Sequence, residues 1–167
     1  IDLAIVRKVG ISNHMIKSWD QLRTVVPHEM VHYFQNGFYN FTELYHFVGN
    51  LWFIEATAQY FADRAVCGTD DALRKLNYCG ESKEHIAEAF SVPITSNSDA
   101  SSYGVGLFLH WLGQTYGDTF LPDVLRSRMN GTENTDQVIL STALAGKGTT
   151  LGEALHAFLT DVMTKPK

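Results

Sequence analysis

What this sequence lacks narrows it first. It has no uninterrupted run of roughly 18 apolar residues, the length a membrane-spanning helix needs, so no membrane span is expected. Basic residues are the minority. Thirteen Lys and Arg stand against 18 Asp and Glu, a net charge of −5, which leaves no basic patch for nucleic acid. No internal repeat, low-complexity tract or β-hairpin signal occurs. No secretory leader is visible, but the chain opens on Ile1 rather than Met. Removal of a leader by processing or truncation is the expectation, and with it a secreted or periplasmic setting. Cysteine is scarce: Cys67 and Cys79 only. Neither has a second Cys or a His at ligand spacing, which argues against a cysteine zinc site. The two either close a small disulfide loop, if the protein is exported, or remain thiols.

What is present suits one domain of 1–167, with enough mass for a hydrophobic core. The pattern is mainly α. Ser18 followed by Gln21 resembles a capping box and opens a helix over about 19–36, with Asn36-Gly37 as its stop. Pro27 falls inside it. Either the helix restarts near Val26 with Pro27 in its first turn, or a longer helix accommodates the proline. Further helices are expected over 51–66, 70–76 and 82–90. A polar loop over 94–102 then leads into an apolar helix over 103–116, ended by Gly117. Three more are expected near 120–129, 135–144 and 151–163, the last opened by Thr149-Thr150 with Glu153.

The chemistry is concentrated in His28-Glu29-Met30-Val31-His32. Residues i and i+4 of a helix share a face one turn apart, so His28 and His32 can hold one zinc ion while Glu29 reaches a water on it. A catalytic zinc takes three protein ligands and keeps a position open. Continuation as H-E-x-x-H-x-x-G-x-x-H fails, because Gln35 and Phe38 stand where Gly and the third His belong. The other large arrangement takes a glutamate from the next helix. Glu55, 23 residues after His32 in Trp52-Phe53-Ile54-Glu55-Ala56, fits it and completes a His₂Glu set. Glu43 and His46 are the rivals, in a less suitable loop context.

Through Pro27-His28-Glu29-Met30-Val31-His32-Tyr33-Phe34 and Trp52-x-x-Glu55-Ala56-x-Ala58-x-Tyr60, the chain resembles the gluzincins, the thermolysin-like clan of zinc metallopeptidases. The resemblance runs from about residue 25 to 125. It implies the helical, C-terminal half of a thermolysin-like α+β peptidase domain, with its metal site between two helices. The sheet that normally precedes the metal helix is missing, so a fragment of a larger enzyme is expected. The family's Tyr-x-x-Gly segment is similar to the stretch from Tyr103 to His110, which makes Tyr103 the implied oxyanion donor. The implied cofactor is one zinc ion per chain, and the implied partner is a peptide or protein substrate.

The expected reaction is peptide-bond hydrolysis with Glu29 as general base. The alternatives are an inactive peptidase-like binding module and a zinc hydrolase of a non-peptide bond. Gln59, where the family often has an acid, and Asp63 are candidates for orienting a zinc histidine. His110 reads as a core histidine, with a second oxyanion donor as the alternative. His14, His85 and His156 read as surface residues. Tyr33, Phe34, Phe38, Tyr39 and Phe41 read as core and loop packing, with cleft lining as the alternative.

Overall fold

The computed structural model describes residues 19–35, 51–67, 93–94, 99–130 and 135–164. These residues form six helices: α1 (Trp19–Gln35), α2 (Leu51–Cys67), α3 (Asp99–Tyr116), α4 (Phe120–Asn130), α5 (Asp136–Ala145) and α6 (Leu151–Thr164). Among the described residues there is no strand, and no helix is long and apolar enough to cross a membrane. The helices expected over 70–76 and 82–90 lie outside the described residues. So do Ser18, the Asn36-Gly37 stop, Phe38, Tyr39, Phe41, Glu43, His46, His14, His85 and Cys79.

Helix α3 sets the layout. Every residue from Val105 to Gly113 is buried, His110 included. A helix apolar on all sides must be covered on all sides. Helix α2 covers one side with Trp52, Phe53 and Tyr60, and α4 to α6 supply Leu121, Val124, Ile139, Leu140, Leu144 and Phe158 to the same core. Complete burial of one such side chain contributes about 1.5–3 kcal/mol. Trp111 donates its indole N–H to Asp161 on α6 at 3.1 Å, which satisfies the polar edge of a core aromatic. Between α4 and α5, the buried Arg128 and Asp136 form an ion pair at 3.3 Å.

Helix α1 packs mainly on α2, so the chain builds a sandwich with α2 in the middle: α1 outside, α3 inside. Pro27 lies within α1, and the helix runs through it; the longer helix is the one that forms. Proline has no N–H for the carbonyl four residues back, so one helical bond is absent in the turn before His28.

Two helix starts repay attention to local chemistry. Helix α3 begins at Asp99, four residues before the expected Tyr103. Asp99 and Ser101-Ser102 read as loop residues, yet Asp and Ser are favoured in a first turn, where they meet open backbone donors and the positive helix end. Helix α6 begins as the sequence suggests. Thr150 Oγ1 accepts from Glu153 N at 3.2 Å, and the Glu153 carboxylate accepts from Thr150 N at 2.8 Å, a reciprocal capping box. The Thr150 amide and hydroxyl hold the Glu153 carboxyl below its ordinary range.

Tyr60 packs against α3 at Gly113. Its hydroxyl lies 2.8 Å from where a Cβ on Gly113 would stand, so a larger residue there would force the Tyr60 ring to shift. The same hydroxyl accepts from Arg64 Nη1 at 2.9 Å, and Arg64 in turn pairs with Asp118 at 2.9 Å. Gly117 then turns the chain into α4 with φ +99, a conformation that suits glycine.

Candidate metal centre

The site lies between α1 and α2. His28 and His32 project from one face of α1, and Glu55 projects from the first half of α2 toward them. His28 Nε2 is 3.1 Å from Glu55 Oε2, His32 Nε2 is 3.3 Å from the same oxygen, and the two Nε2 atoms are 3.0 Å apart. The imidazole planes cross at 86°, edge to face rather than stacked.

Those three distances bear on what the site can hold. Ligands about 2.0–2.1 Å from a tetrahedral zinc stand about 3.3 Å from one another. The observed triangle, with sides of 3.0, 3.1 and 3.3 Å, is close to that face of the tetrahedron. His₂Glu is also the ligand chemistry of a catalytic rather than a structural zinc. These residues can hold one divalent cation; among the described residues no other His, Cys, Asp or Glu group of three does so.

Burial supports the arrangement on one side and leaves it open on the other. His28 is buried, while His32, Glu55 and Glu29 are partly exposed. Burial alone would raise the Glu55 pKa. Hydrogen bonds from His28 and His32, with their charges, overcome it and bring the carboxyl to about 2. Burial likewise opposes the charged form of His32. Hydrogen bonding and charge from Glu55, with smaller help from Gln35 and Glu29, win and raise the imidazole above 6.5.

Both shifts link stability to pH. The depressed Glu55 contributes stability that is present above its ordinary 4.5 and lost as pH falls toward 2. The raised His32 contributes stability that is complete below 6.5 and lost as pH rises through its elevated value. Both contributions are therefore in force between 4.5 and 6.5. Thermal unfolding of chelator-treated protein across that range is expected to show wild type exceeding Glu55→Gln most within this window. The advantage should shrink on both sides. A zinc-loaded sample should shift its optimum upward, because the metal needs both histidines unprotonated.

Behind the ligands lies a polar contact the sequence reading did not assign. Gln35, at 2% exposure, accepts at Oε1 from His32 Nδ1 at 2.7 Å. Its amide nitrogen donates to the Ile54 carbonyl and to Thr57 Oγ1, each at 2.8 Å. The signal was available: Gln35 is three residues after His32, hence on the same helix face. The two residues proposed for that role sit elsewhere. Gln59 donates to Asp63 Oδ1 at 2.8 Å within α2, and Asp63 Oδ2 faces His110 Nε2 on α3 at 3.4 Å. His110 is buried against the Tyr60 ring, 4.7 Å between centroids, as expected of a core histidine.

Tyr103 falls in the second turn of α3; its side chain lies outside the described residues. His156 is exposed. The packing expectation for Tyr33 and Phe34 is corrected: they are 61% and 59% exposed, and Met30 beside them is 52% exposed. Met30 and Tyr33 lie on the side of α1 that faces away from α2, and Phe34 lies at its edge. Phe34 and Val31, with Phe61 and Leu125, line an apolar groove of about 470 Å³. That groove lies on the opposite side of the ligand row from Glu29, as the 3.6-residue period dictates.

Comparison with family models, curated proteins and solved structures returns no match.

Proposed function

We propose that this protein is a zinc-dependent metallopeptidase of the gluzincin type, with His28, His32 and Glu55 as ligands and Glu29 as general base. One observation carries the reading: three ligand atoms from two separate helices converge at the spacing of a tetrahedral zinc face. The H-E-x-x-H spacing and the resemblance of the two helices to gluzincin metal helices support the same assignment.

When bound, zinc supplies Lewis acidity, polarising a scissile carbonyl and making a water acidic near neutral pH. The protein's own residues do the rest. Glu29 follows His28 directly, and its charge is felt at His32. In this reading it accepts the proton of the attacking water and delivers it to the departing amine. Tyr103, by the family resemblance, donates to the oxyanion. The partly exposed edge formed by Glu29, His32 and Glu55 is where a peptide enters.

The test is hydrolysis of a mixed peptide library by zinc-loaded wild-type protein and by Glu29→Gln. Chelator-sensitive cleavage by wild type alone is the expected result. Zinc bound at one equivalent without turnover overturns the peptidase reading and favours a binding module.

A further inference from the structure

Gln35 belongs to neither the H-E-x-x-H motif nor the ligand set, yet it is more deeply buried than any ligand. Its hydrogen bonds can be oriented without ambiguity. The Ile54 carbonyl only accepts, so the group facing it at 2.8 Å must be the Gln35 NH₂. The Thr57 hydroxyl donates to the Phe53 carbonyl at 2.7 Å, so it too is an acceptor toward Gln35. The Gln35 carbonyl oxygen is thereby turned toward His32 Nδ1 at 2.7 Å. A carbonyl oxygen only accepts, so His32 must carry its proton on Nδ1. A neutral imidazole with Nδ1–H has a bare lone pair on Nε2, the atom that faces Glu55 and His28.

We infer that Gln35 is a positioning residue that holds the neutral His32 in the Nδ1–H tautomer, so that once the imidazole is uncharged its Nε2 lone pair faces the other two ligands. The lock is anchored in α2, at residues on either side of Glu55 in sequence: Phe53 and Ile54 before it and Thr57 after it. One amide therefore sets the orientation of a ligand on α1 and ties it to the turn that presents the ligand on α2. Free imidazole side chains favour no fixed tautomer strongly, and a hydrogen bond at the other nitrogen is the usual means of choosing one. A neutral amide makes this choice without adding negative charge beside Glu55.

The inference rests on the His28–His32–Glu55 ligand assignment but not on peptidase activity, and its test is separate. The first measurement is ¹⁵N NMR of the imidazole rings in metal-free wild-type protein, at a pH high enough to leave His32 neutral. His32 is expected as the Nδ1–H tautomer. Nε2–H there overturns the proposal, with no variant required.

The second measurement is zinc affinity by competition with a chromogenic chelator. Gln35→Met preserves volume and removes both ends of the relay. It is expected to mix the His32 tautomers and weaken zinc binding by about 10–100-fold. Thr57→Val is expected to leave His32 as Nδ1–H, because the Ile54 carbonyl still orients the amide. Unchanged zinc affinity in a folded Gln35→Met overturns the proposal. Absence of peptide cleavage in every sample would sink the peptidase reading and leave the tautomer result standing.

Discussion

Glu29→Gln is expected to keep about one equivalent of zinc and to lose peptide hydrolysis by about 10²–10⁴-fold, the usual contribution of a general acid–base group. The substitution is nearly isosteric, and Glu29 is partly exposed, so packing should hold. None of the distances that define the ligand triangle involves Glu29. An amide cannot take a proton from water at neutral pH, so the defect should fall on kcat with the metal content intact. Zinc by elemental analysis and kcat by peptide cleavage separate the two quantities. Loss of zinc in this variant would mean that Glu29 is a ligand and that the roles have been misassigned.

Glu55→Ala is expected to do the opposite and to remove the metal. Zinc bound through a full protein ligand set is worth about 10–16 kcal/mol, or roughly 3 kcal/mol per ligand, so losing one should raise the Kd by about 10²-fold or more. There is a second effect. In the metal-free protein the Glu55 carboxylate lies against both imidazoles, at 3.1 and 3.3 Å. Removing it leaves two imidazole nitrogens 3.0 Å apart with no anion between them, and protonation of either is then unfavourable. His32 should lose its elevated pKa, which NMR titration reads directly. Retained zinc at wild-type affinity would show that the third ligand is another residue, with Glu43 and His46 the next to replace.

The parts of this architecture that the sequence made legible share one property: they follow from local spacing. His28 and His32 one turn apart, the capping box at Thr150 and the stop at Gly117 are each written within a few residues, and Glu55, 23 residues after His32, was reached through the pattern of the helix that carries it. The start of α3 was misplaced because Asp99 to Ser102 are polar residues that suit a loop and a first helical turn equally. Gln35 was noticed only as the wrong residue for a longer motif. Its role depends on Ile54 and Thr57, whose proximity exists only after α1 and α2 have packed. Asp63 shows the converse error. It shares a helix face with Glu55 by spacing, but its partner His110 lies 47 residues away on α3, at 3.4 Å. Tyr33 and Phe34 looked like core by residue type and are exposed, because one face of an outer helix has nothing described above it.

The placement of α1 as the outer layer, held chiefly by α2, has a consequence for how ligand and fold depend on each other. An outer helix with an exposed apolar side is the element most easily released in partial unfolding, ahead of the fully enclosed α3. Two ligands leave with α1 and one stays with α2, so a cation bound by all three makes release of that helix and loss of the ion a single event. Metal concentration then becomes a control on local opening: each tenfold rise above the Kd adds about 1.4 kcal/mol to the cost of detaching α1. In amide hydrogen exchange, α1 would slow with added zinc while the centre of α3 stayed at its own pace.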